Sequence, residues 1–136
     1  METPKHESAD AIISKAEDKK AILAIIEIYI VGLRSGRVDL LKKAFHDNAI
    51  MYGFSVENKT SEGNIERLYN TIEKNGPLPY VTSKNTILHL TDNTALVLAE
   101  LKNTSPCQNS TDHLSLMKIN GSWKIISKVY QLSHAH

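Results

Sequence analysis

The chain has 136 residues, of which 41% are hydrophobic and 23% charged, and its formal net charge is +1. This length fits one domain whose core needs neither disulfide nor metal, and the near-neutral charge excludes the basic surface of a nucleic-acid-binding protein. The single cysteine, Cys107, excludes an internal disulfide. The sequence shows neither an apolar leader nor an apolar run long enough to cross a membrane, so we expect a cytoplasmic protein with no membrane partner.

The first half of the chain predicts helices. Residues 1–9 are polar and predict a disordered tail, and residues 10–133 predict a single domain. From Asp10 to Leu33 apolar residues recur three and four positions apart, which predicts a long, largely buried helix. Gly36 is suited to end it, because glycine readily adopts the left-handed conformation of a helix C-terminus. A short second helix is predicted over Val38–Phe45.

The rest of the chain predicts one more helix and five strands. Ala49–Phe54 is the first strand, and Thr60 or Ser61 is a candidate cap for a third helix that stops at Asn75-Gly76-Pro77. The remaining strand-like runs are Ser83–Leu90, Ala95–Lys102, Thr111–Ile119 and Trp123–Leu132. Consecutive strands joined by turns indicate an antiparallel sheet with helices on one face. The predicted fold class is therefore α+β, in the order ααβαββββ.

The last two runs form the clearest motif, a hairpin. Asn120-Gly121 between two strand-like runs predicts a two-residue turn, because both turn positions require positive φ. That turn fixes the register, and directly paired residues point to the same side of the sheet. The predicted pairs are Ile119 with Ser122, Lys118 with Trp123, Leu116 with Ile125, Leu114 with Ser127, and Asp112 with Val129.

This register sorts the hairpin into two faces. The first face is the better core, and it holds Asp112, Leu114, Leu116, Trp123, Ile125, Ser127 and Val129. The second face is half apolar, which suits a dimer contact, and it holds Thr111, His113, Ser115, Met117, Lys124, Ile126, Lys128 and Tyr130.

Asp112 is the one carboxylate on the predicted core face. A buried carboxylate is costly unless it is paired, hydrogen-bonded or next to a cavity. One interpretation is structural, with Asp112 capping a loop near the strand end by accepting backbone N–H groups. The other is functional, with Asp112 as a pocket carboxylate that serves as a base or as a ligand's hydrogen-bond partner.

Two segments carry a resemblance to a known superfamily: Phe45-His46-Asp47-Asn48-Ala49 and the hairpin from Asp112 to Tyr130. Together with the element order they resemble the nuclear transport factor two-like (cystatin-like cone) superfamily, in particular its putative lumazine-binding and polyketide-cyclase-like branch. The resemblance covers about Ala16 to Leu132. It implies a curved sheet folded around a long N-terminal helix, a conical central cavity, and a homodimer formed through the outer sheet face. Known members include isomerases, dehydratases, cyclases and non-catalytic binding modules, so the fold alone does not give the function.

Four further polar residues are candidates for the site, and each has a structural alternative. Tyr52 shares a strand face with Ile50 and Phe54 and would donate a hydrogen bond inside the cone if that face looks inward. Tyr29 on the first helix is either a core residue or a pocket donor. His46 fits a helix C-terminus, where it interacts well with the helix dipole, or the mouth of the pocket. Glu100 is a second pocket carboxylate or a strand-end charge that reaches solvent.

The sequence leaves three functions open. The first is a small-molecule-binding cone protein in which Tyr29, Tyr52, Asp112 and Ser127 contact an apolar or aromatic ligand. Its apolar walls would be Leu114, Leu116, Trp123 and Ile125. The second is a lyase or isomerase with Asp112 as general base and Tyr52 or His46 as acid, and the third is a non-catalytic dimeric association module. No zinc-ligand spacing or phosphate loop is present, so no metal or cofactor is predicted.

Overall fold

A long helix, α1 (Ala9–Ser35), organises the fold in this computed structural model, which describes residues 8–135. The Ser8 side chain caps its start by accepting the backbone N–H of Ala11 at 3.1 Å. Gly36 ends it with φ of 68°, as predicted. Of the predicted tail, residues 1–7 lie outside the described residues, whereas Ser8 and Ala9 cap and begin α1. No helix within residues 8–135 is long and apolar enough to span a membrane.

The segment after α1 contains one strand that the sequence did not predict. Its elements are α2 (Val38–Ala44), β1 (Phe45–Phe54), β2 (Thr60–Asn64) and α3 (Glu66–Asn75). The prediction that Thr60 or Ser61 caps a helix is wrong, because both residues lie in β2 and pair with β1. The Asn64 side chain instead accepts the backbone N–H of Glu66 at 2.9 Å, at the start of α3.

The second half of the chain is strand only, and it completes a six-stranded sheet. Its elements are β3 (Thr82–Leu90), β4 (Thr94–Ser105), β5 (Gln108–Ile119) and β6 (Ser122–His134). The strand order is β2-β1-β6-β5-β4-β3, in which β1 and β6 are parallel and the other neighbours are antiparallel. The α+β fold class is confirmed, with a long helix packed on one face of an open sheet.

The core lies between α1 and the inner face of the sheet. It includes Ile22, Ile26 and Ile30 of α1 and Leu114 and Ile125 of the sheet, all fully buried. Burial of each such side chain contributes roughly 1.5–3 kcal/mol. This face therefore holds the fold together and sets the surroundings of any polar group placed on it.

The hairpin prediction is confirmed near its turn and wrong further away. Asn120 and Gly121 have φ of 51° and 81°, and Ile119, Lys118 and Leu116 pair with the expected partners. Beyond Leu116 the register shifts by one, because Ser115 pairs with Ser127 and leaves Ile126 as an extra residue in β6. This is a β-bulge, which re-aims every side chain that follows it.

The bulge exchanges the residues on the two faces of β6. Asp112 pairs with Tyr130 rather than with Val129, and Leu114 pairs with Lys128 rather than with Ser127. Lys128 is accordingly buried at 8% exposure, whereas Val129 is 50% exposed on the outer face. The predicted placement of Ser127 and Val129 inside and of Lys128 and Tyr130 outside is therefore wrong, since period-two counting assumed an uninterrupted strand.

Candidate functional site

Asp112 forms the centre of a buried polar cluster on the inner face of the sheet. Its Oδ2 accepts a hydrogen bond from the Tyr29 hydroxyl at 2.7 Å, and its Oδ1 accepts one from the Ser110 hydroxyl at 2.6 Å. The carboxylate thus joins α1 to β5 through two side-chain hydroxyls. This geometry contradicts the loop-cap interpretation, which required backbone N–H donors.

Lys128 is the cation of the cluster, and its amino group is only loosely held. Nζ lies 3.9 Å from Asp112 Oδ2, 4.7 Å from the centre of the Tyr130 ring and 5.8 Å from that of the Tyr29 ring. It makes no hydrogen bond to any residue that the structure describes. Charge attraction to Asp112 and two aromatic faces therefore hold Lys128, and none of its three ammonium donors bonds a described residue.

Tyr29 is held in its neutral form by its surroundings. Burial away from water raises the pKa of the Tyr29 hydroxyl well above its usual range, and the charge of Asp112 and the hydrogen bond to it act in the same direction. A neutral tyrosine next to a carboxylate remains a hydrogen-bond donor at any ordinary pH.

The members of the cluster differ slightly in their exposure to solvent. Tyr29 and Asp112 have no exposed surface, and Ser110 has 4%, whereas Lys128 retains 8%. Tyr130 and Leu132, further along the same face, are half-buried. Lys128 is therefore the member of the cluster with the most exposed surface.

A row of inward-facing residues extends the polar surface across the sheet. Asn85 on β3 pairs with Ala99 on β4, and Ala99 pairs with Asp112, so all three point to the same side. Asn85 donates to the Ser83 hydroxyl at 3.1 Å. Its Oδ1 is buried and is the one such side-chain atom without a hydrogen-bond partner among residues 8–135. The inner face thus carries more polar groups than a pure core would.

The predicted apolar walls lie where the sequence placed them, inside, but they are packed into the core. Leu114, Leu116, Trp123 and Ile125 are all buried. The Trp123 indole N–H donates to Asp18 Oδ1 of α1 at 3.1 Å. The interior next to Tyr29 and Asp112 is therefore filled by side chains, and Lys128 marks its accessible edge.

Three predicted ligand contacts lie on the opposite side of the sheet. Tyr52 is 43% exposed and borders a small outer cleft with Phe54 and Val129, because the inward positions of β1 are Ala49, Met51 and Gly53. Glu100 is exposed in β4, and Ser127 moved outward with the bulge. None of these three side chains faces the cone in this structure.

His46 lies at the start of β1, away from the cluster. Its Nδ1 accepts the backbone N–H of Asn48 at 3.0 Å, a local turn contact. In the described part of the chain, no three His, Cys, Asp or Glu side chains are grouped closely enough to hold a metal ion.

Sequence reasoning missed Ser110, Lys128 and Tyr130. Ser110 was detectable, because it lies two residues before Asp112 and so on the same strand face. Lys128 and Tyr130 were assigned to the outer face, and only the bulge at Ile126 brings them inside. Gly53 permits the tyrosine's position, since a Cβ there would lie 2.6 Å from ring atoms of Tyr130.

A second, separate cleft lies beside the turn between β4 and β5. Its volume is about 570 Å³, and it is lined by Pro77, Leu78, Pro79, Tyr80, Asn103, Ser105 and Pro106. The lining includes no residue of the Asp112 cluster. This cleft and the inner face are therefore two different surfaces.

Comparisons with known proteins agree with the fold. A family model described as "Putative lumazine-binding" matches residues 17–131. An aldolase, FrzH, from a Cladobotryum species is 26% identical over 110 residues, which cover 81% of this chain and 87% of that protein.

Solved structures share the fold. An NTF2-like protein of unknown function from Methylobacillus flagellatus KT is 28% identical with a TM-score of 0.79, over 85% of this chain and 92% of that one. A cystatin-like fold protein from Burkholderia xenovorans LB400 has a TM-score of 0.67 at 14% identity, over 86% and 92% of the two chains. The match to the second shows the fold alone.

Proposed function

The chain belongs to the putative lumazine-binding family, and on that premise we propose that it binds a small molecule with an apolar or aromatic body at the inner face of its sheet. The ligand approaches along β6, past Leu132 and Tyr130. Its polar end contacts Lys128, and Tyr29 and Asp112 hold that lysine in place. Small-molecule binding sites are usually lined by apolar side chains with a small number of polar groups among them.

The observation that carries this proposal is the unused amino group of Lys128. Lys128 Nζ is not among the buried side-chain atoms without a partner in residues 8–135, so it keeps some contact with solvent, and its donors can turn to an acceptor that replaces this solvent. Here the nearest carboxylate oxygen is 3.9 Å away and already accepts from Tyr29. A ligand oxygen next to Nζ would provide the hydrogen-bond acceptor that no described residue provides. The proposed ligand therefore carries a carbonyl or an anionic oxygen on a flat or apolar frame.

Lumazine, a bicyclic dione, is a suitable probe, and its own fluorescence reports binding. We expect the wild-type protein to bind it and Lys128→Met to bind it about tenfold more weakly, the loss of one charge-assisted hydrogen bond. Lys124→Met is the matched control, since Lys124 is on the same strand and its Nζ contacts the Lys43 carbonyl at 2.6 Å. Equal affinity of the two variants would contradict the assignment of Lys128.

A second candidate function is a lyase that works by proton transfer next to a carbonyl. Two observations favour it: the relative named as an aldolase, and a carboxylate, a neutral tyrosine and an amine within one cluster. Asp112 would act as base and Tyr29 as proton donor, in place of the outward-facing Tyr52. Under this function, Asp112→Asn abolishes turnover of a hydroxy-ketone substrate while lumazine binding persists.

We also propose that the protein forms a homodimer through the outer face of β1 and β6. Large apolar side chains are exposed on neighbouring positions there, namely Ile50, Tyr52, Phe54 and Val129. Val129→Glu should convert the dimer to a monomer in sedimentation velocity. Leu88→Glu, at an equally exposed position of edge strand β3, should leave it dimeric. A monomeric wild-type protein would refute the proposed dimer.

The cytoplasmic location stays a prediction of the sequence.

A further inference from the structure

We propose that Lys128 binds aldehydes and ketones covalently, by forming an imine through its amino group. This inference rests on the proposed function, because it assigns a carbonyl group to the ligand's polar end. Its basis is the position of Nζ, which is inside the cone, free of hydrogen bonds to the described residues and at the accessible edge of the cluster.

The surroundings of Nζ provide the two things that imine formation needs. The first is a base for the ammonium proton, because only a neutral amine attacks a carbonyl carbon. Asp112 Oδ2 at 3.9 Å has one lone pair left after accepting from Tyr29. The second is a partly dry site, provided by the rings of Tyr29 and Tyr130, whose centres lie 5.8 Å and 4.7 Å from the amine, in which water competes less for the iminium.

The reaction balances within the cluster. The Lys128 ammonium gives one proton to Asp112, and the nitrogen lone pair then forms the N–C bond as the carbonyl π electrons move to oxygen. A proton passes from nitrogen to that oxygen, which gives a carbinolamine. Asp112 returns its proton to the hydroxyl, the C–O bond breaks, and water leaves. The product is a positively charged iminium on Lys128 beside a carboxylate, the same charge pair that existed at the start.

Other lysines near this hairpin are differently held. Lys118 Nζ bonds Asp18 Oδ1 at 3.1 Å, and Lys124 Nζ bonds the Lys43 carbonyl at 2.6 Å. Each of these amines has a direct acceptor, and neither has an aromatic ring contact among the described residues. They serve as internal references for the reactivity of Lys128.

The test uses the small ketone hydroxyacetone with cyanoborohydride, which delivers hydride to an iminium carbon and makes the link permanent. Intact mass spectrometry counts the adducts, and peptide mapping locates them in the wild-type protein, so the result does not depend on any variant folding. We expect one dominant adduct on Lys128, with Lys118 and Lys124 modified about tenfold less. Lys128→Arg should remove it, and Asp112→Asn should slow its formation.

The outcomes separate this inference from the proposed function. Adducts distributed over exposed lysines, with Lys128 unmodified, overturn the imine whether or not lumazine binds. A Lys128 adduct supports it even if lumazine fails to bind, in which case the bicyclic ligand frame is wrong. Lumazine binding that depends on Lys128 without any adduct means that the site binds its ligand by hydrogen bonds alone, and the inference fails while the proposed function stands.

Discussion

Two aspartate–lysine pairs lie at opposite ends of the inner face, and they differ in how the lysine is held. Near the β5–β6 turn, Asp18 Oδ1 accepts from Lys118 Nζ and from the Trp123 indole N–H, both at 3.1 Å. In the Asp112 cluster the carboxylate accepts from two hydroxyls, and Lys128 lies 3.9 Å away without a hydrogen bond. The first pair is complete as it stands, whereas the second leaves an amine available.

The surroundings of the two carboxylates differ as well. The Asp18 side chain keeps 14% exposure and can exchange partners with water, whereas that of Asp112 keeps none. A buried carboxylate that accepts one hydrogen bond from a neutral hydroxyl at each oxygen is held in position without a hydrogen bond from the nearby cation. The Asp18 pair therefore acts as a clamp between α1 and the hairpin, and the Asp112 cluster is the ligand site that we propose.

The largest expected difference between the two ends is in stability. Asp112→Ala leaves a tyrosine hydroxyl and a serine hydroxyl without their acceptor and a largely buried lysine without its counter-charge, so we expect a loss of about 3–5 kcal/mol. Asp18→Ala leaves donors that water can reach and should cost about 1 kcal/mol. Urea denaturation of both variants measures this, and equal losses would mean that burial does not distinguish the two ends.

Gly53 provides a test of how the packing positions the cluster. Gly53→Ala would place a Cβ 2.4 Å from the Tyr130 carbonyl oxygen and 2.6 Å from its ring, which forces the ring away from Lys128. We expect a loss of about 2 kcal/mol in unfolding free energy and weaker lumazine binding. Gly121→Ala is a poor match because of its positive φ, so Ala49→Gly on the same strand face serves as the control. Unchanged stability and binding in Gly53→Ala would show that Tyr130 does not shape the site.

Alkaline pH should act on the Asp112 cluster through Tyr29. Its pKa is raised above the ordinary value of 10.0 in the folded protein, so its contribution is complete below pH 10 and is lost as pH rises. Above pH 10 the unfolded chain releases this proton while the folded protein keeps it. Stability should therefore fall by up to about 1.4 kcal/mol per pH unit.

A control is needed to separate the contribution of Tyr29 to the pH dependence of stability from that of Tyr69. Burial, with smaller contributions from Asp47 and Glu66, raises the pKa of Tyr69 to about 12, so it adds a slope of the same sign. Between pH 10 and 11 both tyrosines stay protonated in the folded protein, so Tyr29→Phe and Tyr69→Phe should each remove about half of the fall that the two tyrosines cause. If the melting temperature fell by the same amount between neutral and alkaline pH in wild type and in Tyr29→Phe, that result would contradict the burial of Tyr29 against Asp112.

The sequence predicted the fold and two members of the site, Asp112 and Tyr29, for physical reasons that can be named. The spacing of apolar residues gives α1, and Asn120-Gly121 gives the turn because both positions need positive φ. The carboxylate of Asp112 stands out because it alternates with Leu114 and Leu116. Pairs close to a turn are fixed by it, and so the first pairs of the hairpin were predictable.

Ser110 could have been found from its position two residues before Asp112, but Lys128 and Tyr130 were not predictable, because no local pattern indicates the bulge that brings them inside. The extra residue at Ile126 cannot be recognised from the sequence, because polar and apolar residues alternate on both sides of it. Without the bulge, the predicted register placed Lys128 and Tyr130 on the wrong face. Tyr52 was misplaced for a related reason, since Ala49, Met51 and Gly53 are as suitable for burial as the larger residues between them. The strand β2 consists of polar residues and glycine, and only its pairing with β1 makes it a strand.

The most direct test of the account is the position of the Lys128 side chain in solution, because the bulge, the cluster and the proposed ligand site all depend on it. Nuclear Overhauser contacts between side chains on β6 and the Tyr29 ring measure it. The account predicts contacts from the Lys128 methylene protons to the Tyr29 and Tyr130 rings, and none from the Val129 methyl groups to Tyr29. Contacts from Val129 to Tyr29, with Lys128 showing none, would contradict it.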